Sequence, residues 1–237
     1  MSKLHIQELL RSEFHASLLG FAEMQGYLPK EFAELPYGIS IGVQLSRPII
    51  DSLQSAPNKL YAYHYHAINH YLNDLAIQTV NYLQKREHQA LSIPASLTIN
   101  WKTHEGHLSH KMVATRAGLG WIGKNALLVT NEFGPRLRLV TVLTDAPLRG
   151  KRPITASQCG DCQACVKACP VGAIHGKAWT PKTDREALVD VHKCAEFIDQ
   201  YKAELGAPVC GLCVQACPKG RREPKNRLWG ETSQELV

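Results

Sequence analysis

The chain has 237 residues, 44% of them hydrophobic and 20% charged, an ordinary soluble globular balance with room for one large domain or two modest ones around a buried core. No stretch approaches the ~18 uninterrupted apolar residues of a membrane span, and the N-terminus MSKLHIQELLRSEFHASLLG lacks the pattern of a secretion signal. A cytoplasmic chain with reduced thiols and no membrane partner is therefore expected. The net charge of +6 favours acidic partners such as nucleic acid or another protein, and a solvated basic surface explains it equally well.

In chain order, Leu4, Leu9, Leu10, Phe14, Leu18 and Phe21 follow helical spacing and predict a first amphipathic helix. Residues 38–45 (GISIGVQL) alternate and are rich in β-branched side chains, which predicts a strand. A long helix is expected over 59–86, through Tyr65, Ile68, Leu72, Leu75, Ile77 and Leu83. His66 and His70 stand four apart, and His104, His107 and His110 three apart, so either set could gather imidazoles on a helix; scattered, partly exposed histidines are the plainer reading. After a short helix comes AGLGWIGKN, residues 117–125, whose three glycines let a backbone approach a flat or phosphate-bearing ligand. It has neither the setting of a dinucleotide fingerprint nor the spacing of a P-loop, and alone reads as a glycine-rich connector. Residues 126–130 and 137–143 flank the turn NEFGP as an expected hairpin. Helices interleaved with strands predict an α/β or α+β fold.

All eight cysteines lie between Cys159 and Cys217, beyond the Pro/Gly/Arg-rich stretch 146–153, so a cysteine-free domain over 1–150 and a metal module after it are expected. In a reducing compartment such a cluster signals metal or redox chemistry rather than disulfides. Cys159, Cys162, Cys165 and Cys169, followed by Pro170, form C-x2-C-x2-C-x3-C-P, the bacterial ferredoxin run whose fourth cysteine serves the other cluster. Cys210, Cys213 and Cys217, followed by Pro218, repeat its last three positions, with Cys194 standing in for the first. Two 4Fe-4S clusters are predicted: Cys159, Cys162 and Cys165 with Cys217, and Cys194, Cys210 and Cys213 with Cys169. The prolines stop each fourth-cysteine segment from continuing as a helix. Structural zinc would prefer paired C-x2-C knuckles.

The run AGLGWIGKNALLVTNEFGPRLRLVTVLTDAPL, then CGDCQACVKACPVGAI, HKC and CGLCVQACP, resembles the epoxyqueuosine reductases and their short relatives, iron-sulfur and cobalamin enzymes related in architecture to reductive dehalogenases. Tyr61–Leu75 (YAYHYHAINHYLNDL) is similar to that family's tyrosine-histidine helix. The resemblance implies an α+β protein: an α/β nitroreductase-like cobalamin-binding domain over 1–150, a ferredoxin-like double 4Fe-4S domain over 151–220, and a basic tail over 221–237. It implies that Gly118, Gly120 and Trp121 contact the corrin. Electrons from a donor protein such as ferredoxin or flavodoxin would enter a surface cluster, pass to an inner one and reduce cobalt. The family places an aspartate, regarded as its proton donor, where an ungapped count back from Gly118 puts His104, making His104 the candidate acid. The family's enzymes continue into helical repeats that help hold tRNA, whereas here a basic tail follows. The substrate is left as tRNA or a small molecule, with Lys219, Arg221, Arg222, Lys225 and Arg227 able to meet phosphate. The alternative is a non-catalytic electron carrier serving another enzyme or a corrinoid partner.

Overall fold

The computed structural model describes residues 16–221. Its centre is a fully antiparallel four-stranded sheet in the order β1-β2-β6-β3, formed by β1 (Leu18–Glu23), β2 (Tyr37–Gln44), β3 (Ala90–Ile93) and β6 (Leu137–Thr144). A second, two-stranded ribbon pairs β4 (Trp121–Ile122) with β5 (Leu128–Val129). Strand β2 shows why the sheet is covered on both faces. Ile39, Ile41 and Val43 point one way and Gly38, Ser40 and Gly42 the other, the period of two that a strand imposes.

The larger residues meet α2 (Lys59–Gln84), which follows the short α1 (Arg47–Asp51). Asn58 caps α2 by accepting from the Tyr61 N–H at 2.8 Å, and Leu72, Leu75, Ala76 and Leu83 pack on Ile39, Ile41, Val140 and Val142. Ile77, counted in the apolar stripe, is instead exposed. The small residues admit α3 (His110–Arg116) on the opposite face: a Cβ at Gly38 would lie 2.8 Å from Val113 Cγ1. The expected strand at 38–45 and helix at 59–86 thus stand within two residues of their observed ends.

Two expectations are corrected. Leu18 and Phe21 belong to β1, not to a helix, because pairing with β2 satisfies this backbone and buries Phe21; Leu4, Leu9, Leu10 and Phe14 lie outside the described residues. The hairpin of 126–130 with 137–143 does not form. Strand β6 is buried on both faces and takes β2 and β3 as its neighbours, while β5 pairs back to β4, leaving one bridge between Thr130 and Gly134.

Beyond residue 150 the chain is mostly loop, with α4 (Ala164–Lys167), α5 (Arg185–Leu188), α6 (Val191–Leu205) and α7 (Leu212–Gln215). The two halves share cores. Leu45, Tyr61 and Ala62 pack with Val209, Leu212 and Val214, and Trp121 and Ala126 pack with Ala173, Trp179 and Leu188. No helix among the described residues is long and apolar enough to cross a membrane.

Candidate functional site

The two cysteine half-motifs are built alike. Helices α4 and α7 pack against each other, and each ends two residues before a cysteine followed by proline, Cys169 and Cys217. A residue before proline is biased away from helical geometry, so these thiols turn off the helix that precedes them. The long gap between Cys194 and Cys210 is filled by α6. Asp190 caps it, accepting from the His192 and Lys193 N–H groups at 3.1 and 3.0 Å, and Gly206 ends it in the left-handed region at φ 69°. Cys194 therefore sits in the first turn of a helix whose far end returns the chain to Cys210.

The charges that the thiols feel show which lie together. Burial pushes the Cys165 thiol up to about 11, with Cys217, Cys159 and Cys162 adding to the effect. Burial likewise raises Cys194 to about 11, followed by Cys210 and Cys169. Cys217 is raised by burial and by Cys159 and Cys162, and Cys210 by burial and Cys169. Cys213 is also raised, first by burial and then by Cys210, Cys194, Cys165 and Cys169. These influences group Cys165 and Cys217 with Cys159 and Cys162, and Cys194 and Cys210 with Cys169, while Cys213 is influenced from both neighbourhoods. Softness and number make this donor set suited to iron-sulfur clusters.

The two neighbourhoods differ in their surroundings. Trp121, 1% exposed, donates its indole N–H to Cys159 Sγ at 3.4 Å, and Lys219 Nζ lies 5.6 Å from the centre of the same ring. Lys124 Nζ donates to the Cys162 carbonyl at 3.1 Å. Cys169, Cys194, Cys210 and Cys213, in contrast, all border a cavity of about 1010 Å³. Its opposite walls come from the first half of the chain, including Tyr65, Ser96, His104, Lys111, Asn125 and Arg138. A concave, largely apolar space of this size with a few convergent polar groups can take a large organic cofactor, a substrate or both.

His104 is at the cavity wall, in a turn with φ 53°; its carbonyl accepts from Arg185 Nη1 at 3.1 Å and its ring meets the His192 ring edge-on at 5.5 Å. His107 also lines the cavity and pairs with Glu31 at 3.4 Å. His110 is held from both sides, by the Thr141 hydroxyl at Nδ1 (2.9 Å) and the Pro94 carbonyl at Nε2 (3.2 Å). The carbonyl must accept, so Nε2 carries the proton and Nδ1 accepts from Thr141. Burial pushes this imidazole down to about 4, so it stays neutral near pH 7. Only His110 of these three is on a helix, while His66 and His70 are exposed on α2. No three His, Cys, Asp or Glu among the described residues converge on a single-ion site.

The glycine loop is placed differently from its expected role. Gly118, Gly120 and Trp121 line a separate recess of about 330 Å³ beside β1, not the large cavity. A Cβ at Gly118, where φ is 70°, would meet the Arg152 carbonyl oxygen at 2.7 Å, and one at Gly120 the Val129 carbonyl oxygen at 2.3 Å. These glycines admit the protein's own backbone. The later part of the loop, Ile122 and Asn125 with the adjoining Ala126 and Leu127, reaches the large cavity.

Two cavity residues were missed. Lys111 donates to the Ala126 carbonyl at 2.6 Å, and burial, then Arg185 and Arg138, push its ammonium down to about 8. Arg138 lies 4.1 Å over the Tyr65 ring and donates to Asn69 Oδ1 at 3.0 Å, to Tyr65 OH at 2.9 Å and to Ser96 Oγ. Helical spacing from buried Ala114 and Thr115 places Lys111 on an inward face, and alternation with Val140 and Val142 does the same for Arg138. A cation at a core position was the available signal.

Known proteins share these features. A 4Fe-4S double cluster binding domain matches residues 158–220. An epoxyqueuosine reductase from Bacillus cereus is 31% identical over 149 residues, which are 59% of this chain and 37% of that protein, so the match spans little more than a third of the relative's length. An epoxyqueuosine reductase solved with an epoxyqueuosine-modified tRNA-Tyr stem loop aligns at a TM-score of 0.59 and 18% identity, over 92% of this chain and 65% of that one. A reductive dehalogenase described as B12-dependent aligns at 0.67 and 18% identity, over 87% of this chain and 30% of that one. The resemblance to epoxyqueuosine reductases thus holds in sequence, and the mixed α/β fold is shared with both groups.

Proposed function

Because the chain resembles epoxyqueuosine reductases in motif order and in fold, we propose that it is a cobalamin-dependent iron-sulfur reductase, its first half a nitroreductase-like cofactor chamber fed by two 4Fe-4S clusters. The observation that carries this reading is the large cavity bordered by Cys169, Cys194, Cys210 and Cys213 and by none of the other four cysteines. An electron carrier alone has no use for such a chamber. In this reading Cys159, Cys162, Cys165 and Cys217 hold the cluster that meets a ferredoxin or flavodoxin, and the cavity-side four hold the inner one. Cobalamin, when bound, would supply a cobalt centre that accepts single electrons and acts on the substrate.

The chain's own residues do the rest. Asn125, Ala126 and Leu127 contribute wall where the corrin would lie, while Gly118, Gly120 and Trp121 border the smaller recess. Tyr65, Asn69 and Ser96 fix the Arg138 guanidinium. His110 is locked neutral and His107 lies against Glu31, and His104 is the histidine assigned to deliver a proton. The substrate is a small molecule or a tRNA.

Titration of the anaerobic, cluster-loaded protein with cobalamin tests the reading, the expected result being the spectral change of base-off coordination. No binding would overturn the cobalamin proposal and favour an electron carrier. His104→Ala should preserve that spectral change while slowing turnover about a hundredfold or more, the usual contribution of a general acid. Unaltered turnover would reject His104 as the donor.

A further expected result concerns the outer cluster. An N–H···S bond stabilises the more negative, reduced cluster, so Trp121→Phe, which keeps most of the packing, should lower its midpoint potential. A hydrogen bond worth about 1 kcal/mol corresponds to roughly 40 mV for one electron. Potentiometric titration followed by paramagnetic resonance reads this directly, and an unshifted potential would show that the indole contributes packing alone.

A further inference from the structure

Lys111 and Arg138 both line the cavity, and neither is ion-paired to a carboxylate among the described residues. Lys111 is half-buried in the cavity wall, and its ammonium donates to the Ala126 carbonyl at 2.6 Å. The ionic groups that influence it are Arg185 and Arg138, both cations and both lining the same cavity. Two carboxylates share the wall. Glu186 is held by Arg185 at 2.7 Å, and Glu105 accepts from the Thr103 hydroxyl at 2.7 Å. His110 beside Lys111 is neutral, for the reason given above. The ion pairs among the described residues include neither Lys111 nor Arg138.

Partial burial beside other cations, with no paired carboxylate, is unfavourable for an ammonium. The arrangement is stable when something else brings negative charge. Arg138 is held through Nε and Nη2 by Asn69, Tyr65 and Ser96, so its Nη1 N–H groups are fixed in place before any ligand arrives. An ammonium and a fixed guanidinium lining one cavity are the donors that bind carboxylate or phosphate oxygens.

We propose that the cavity binds the anionic group of its ligand, a carboxylate or a phosphate, between Lys111 and Arg138. If the cavity is the reaction chamber, as proposed above, its substrate belongs to the class of anionic molecules, and the same site would also suit the phosphodiester of a corrinoid's nucleotide arm. A neutral ligand leaves both cations unmatched.

The test uses the anaerobic, cluster-loaded chain and its thermal midpoint in inorganic phosphate or acetate, against chloride at equal ionic strength. Wild type should show a saturable rise with phosphate or acetate, because a ligand that binds only the folded state stabilises it by mass action. Lys111→Met should weaken that anion's apparent affinity tenfold or more, and Lys111→Arg should retain most of it. The midpoints in chloride report whether each variant folds. No saturable rise in wild type, or an equal rise in Lys111→Met, overturns the proposal.

Repeating the titration with cobalamin, or with cobinamide, which lacks the phosphate, identifies the source of the anion. Phosphate that competes with cobalamin and not with cobinamide assigns the site to the corrinoid's phosphodiester. Phosphate that binds undiminished beside cobalamin assigns it to substrate. Anion binding that depends on Lys111 in a protein that ignores cobalamin supports the anion site and removes the cofactor reading. Cobalamin binding with no anion effect does the reverse.

Discussion

Replacing Cys217 with alanine is expected to abolish the cluster of Cys159, Cys162 and Cys165, more than fifty residues earlier in the chain, and to spare that of its close neighbours Cys210 and Cys213. The reason is proximity: the Cys217 thiol is influenced by Cys159 and Cys162, and Cys165 by Cys217. The reciprocal variant, Cys169→Ala, should abolish the cluster of Cys194, whose own thiol is influenced by Cys210 and Cys169. Iron should fall from about eight per chain to about four in either variant. Paramagnetic resonance should show matching losses for Cys217→Ala and Cys159→Ala, and a different matching pair for Cys169→Ala and Cys194→Ala. If Cys217→Ala removes the signal that Cys210→Ala removes, each half-motif holds its own cluster and the crossed pairing is wrong. Only the Cys169 pair borders the cavity, so those variants should also disturb ligand binding there.

Arg136→Met should be among the most destabilising substitutions in the protein. Arg136 is 2% exposed and its guanidinium donates to the carbonyls of Lys219 (2.6 Å), Cys217 (2.6 Å) and Gln215 (3.4 Å). It thereby ties the last cysteine segment to the start of β6. A methionine of similar reach leaves these carbonyls without their donor, and losses of about 3–5 kcal/mol are usual when one partner of a buried charged network is removed. Arg136→Lys should recover only part of this, because a single ammonium cannot reproduce a planar fork. Denaturant unfolding of the cluster-loaded protein measures both. A loss under about 1 kcal/mol for Arg136→Met would mean that water replaces the guanidinium.

Long or repeated patterns were legible in the sequence. Helix α2 offered several turns of apolar stripe, and the cysteine spacing carried its chemistry in the order of the residues. Leu18 and Phe21 were misread because residues three apart fit one helical face, and only β2, distant in sequence, decides that they form a strand. The hairpin failed for a related reason. Segments 126–130 and 137–143 are neighbours in the chain, but β6 was taken by β2 on one edge and β3 on the other. The glycines of the 117–125 loop announced a close approach without naming what approaches, which proved to be backbone from residues 152 and 129. Lys111 and Arg138 were single cations in unremarkable surroundings until the fold brought them to one cavity.

The shared cores imply an order of assembly. Among the described residues, three of the hydrophobic clusters are made wholly from residues before position 150, so the sheet with α2 and α3 can collapse as soon as that much chain has left the ribosome. The other two need residues from both halves, among them Tyr61 with Val209 and Trp121 with Ala173, and the cysteines themselves pack at their edges. Until iron and sulfide arrive, eight protonated or oxidisable thiols stand where these seams must close. A newly made chain would therefore wait half finished, with Tyr61 and Trp121 uncovered, as a client for whatever machinery delivers its clusters. Oxygen damage would return it to that state, presenting the same apolar surface to proteases.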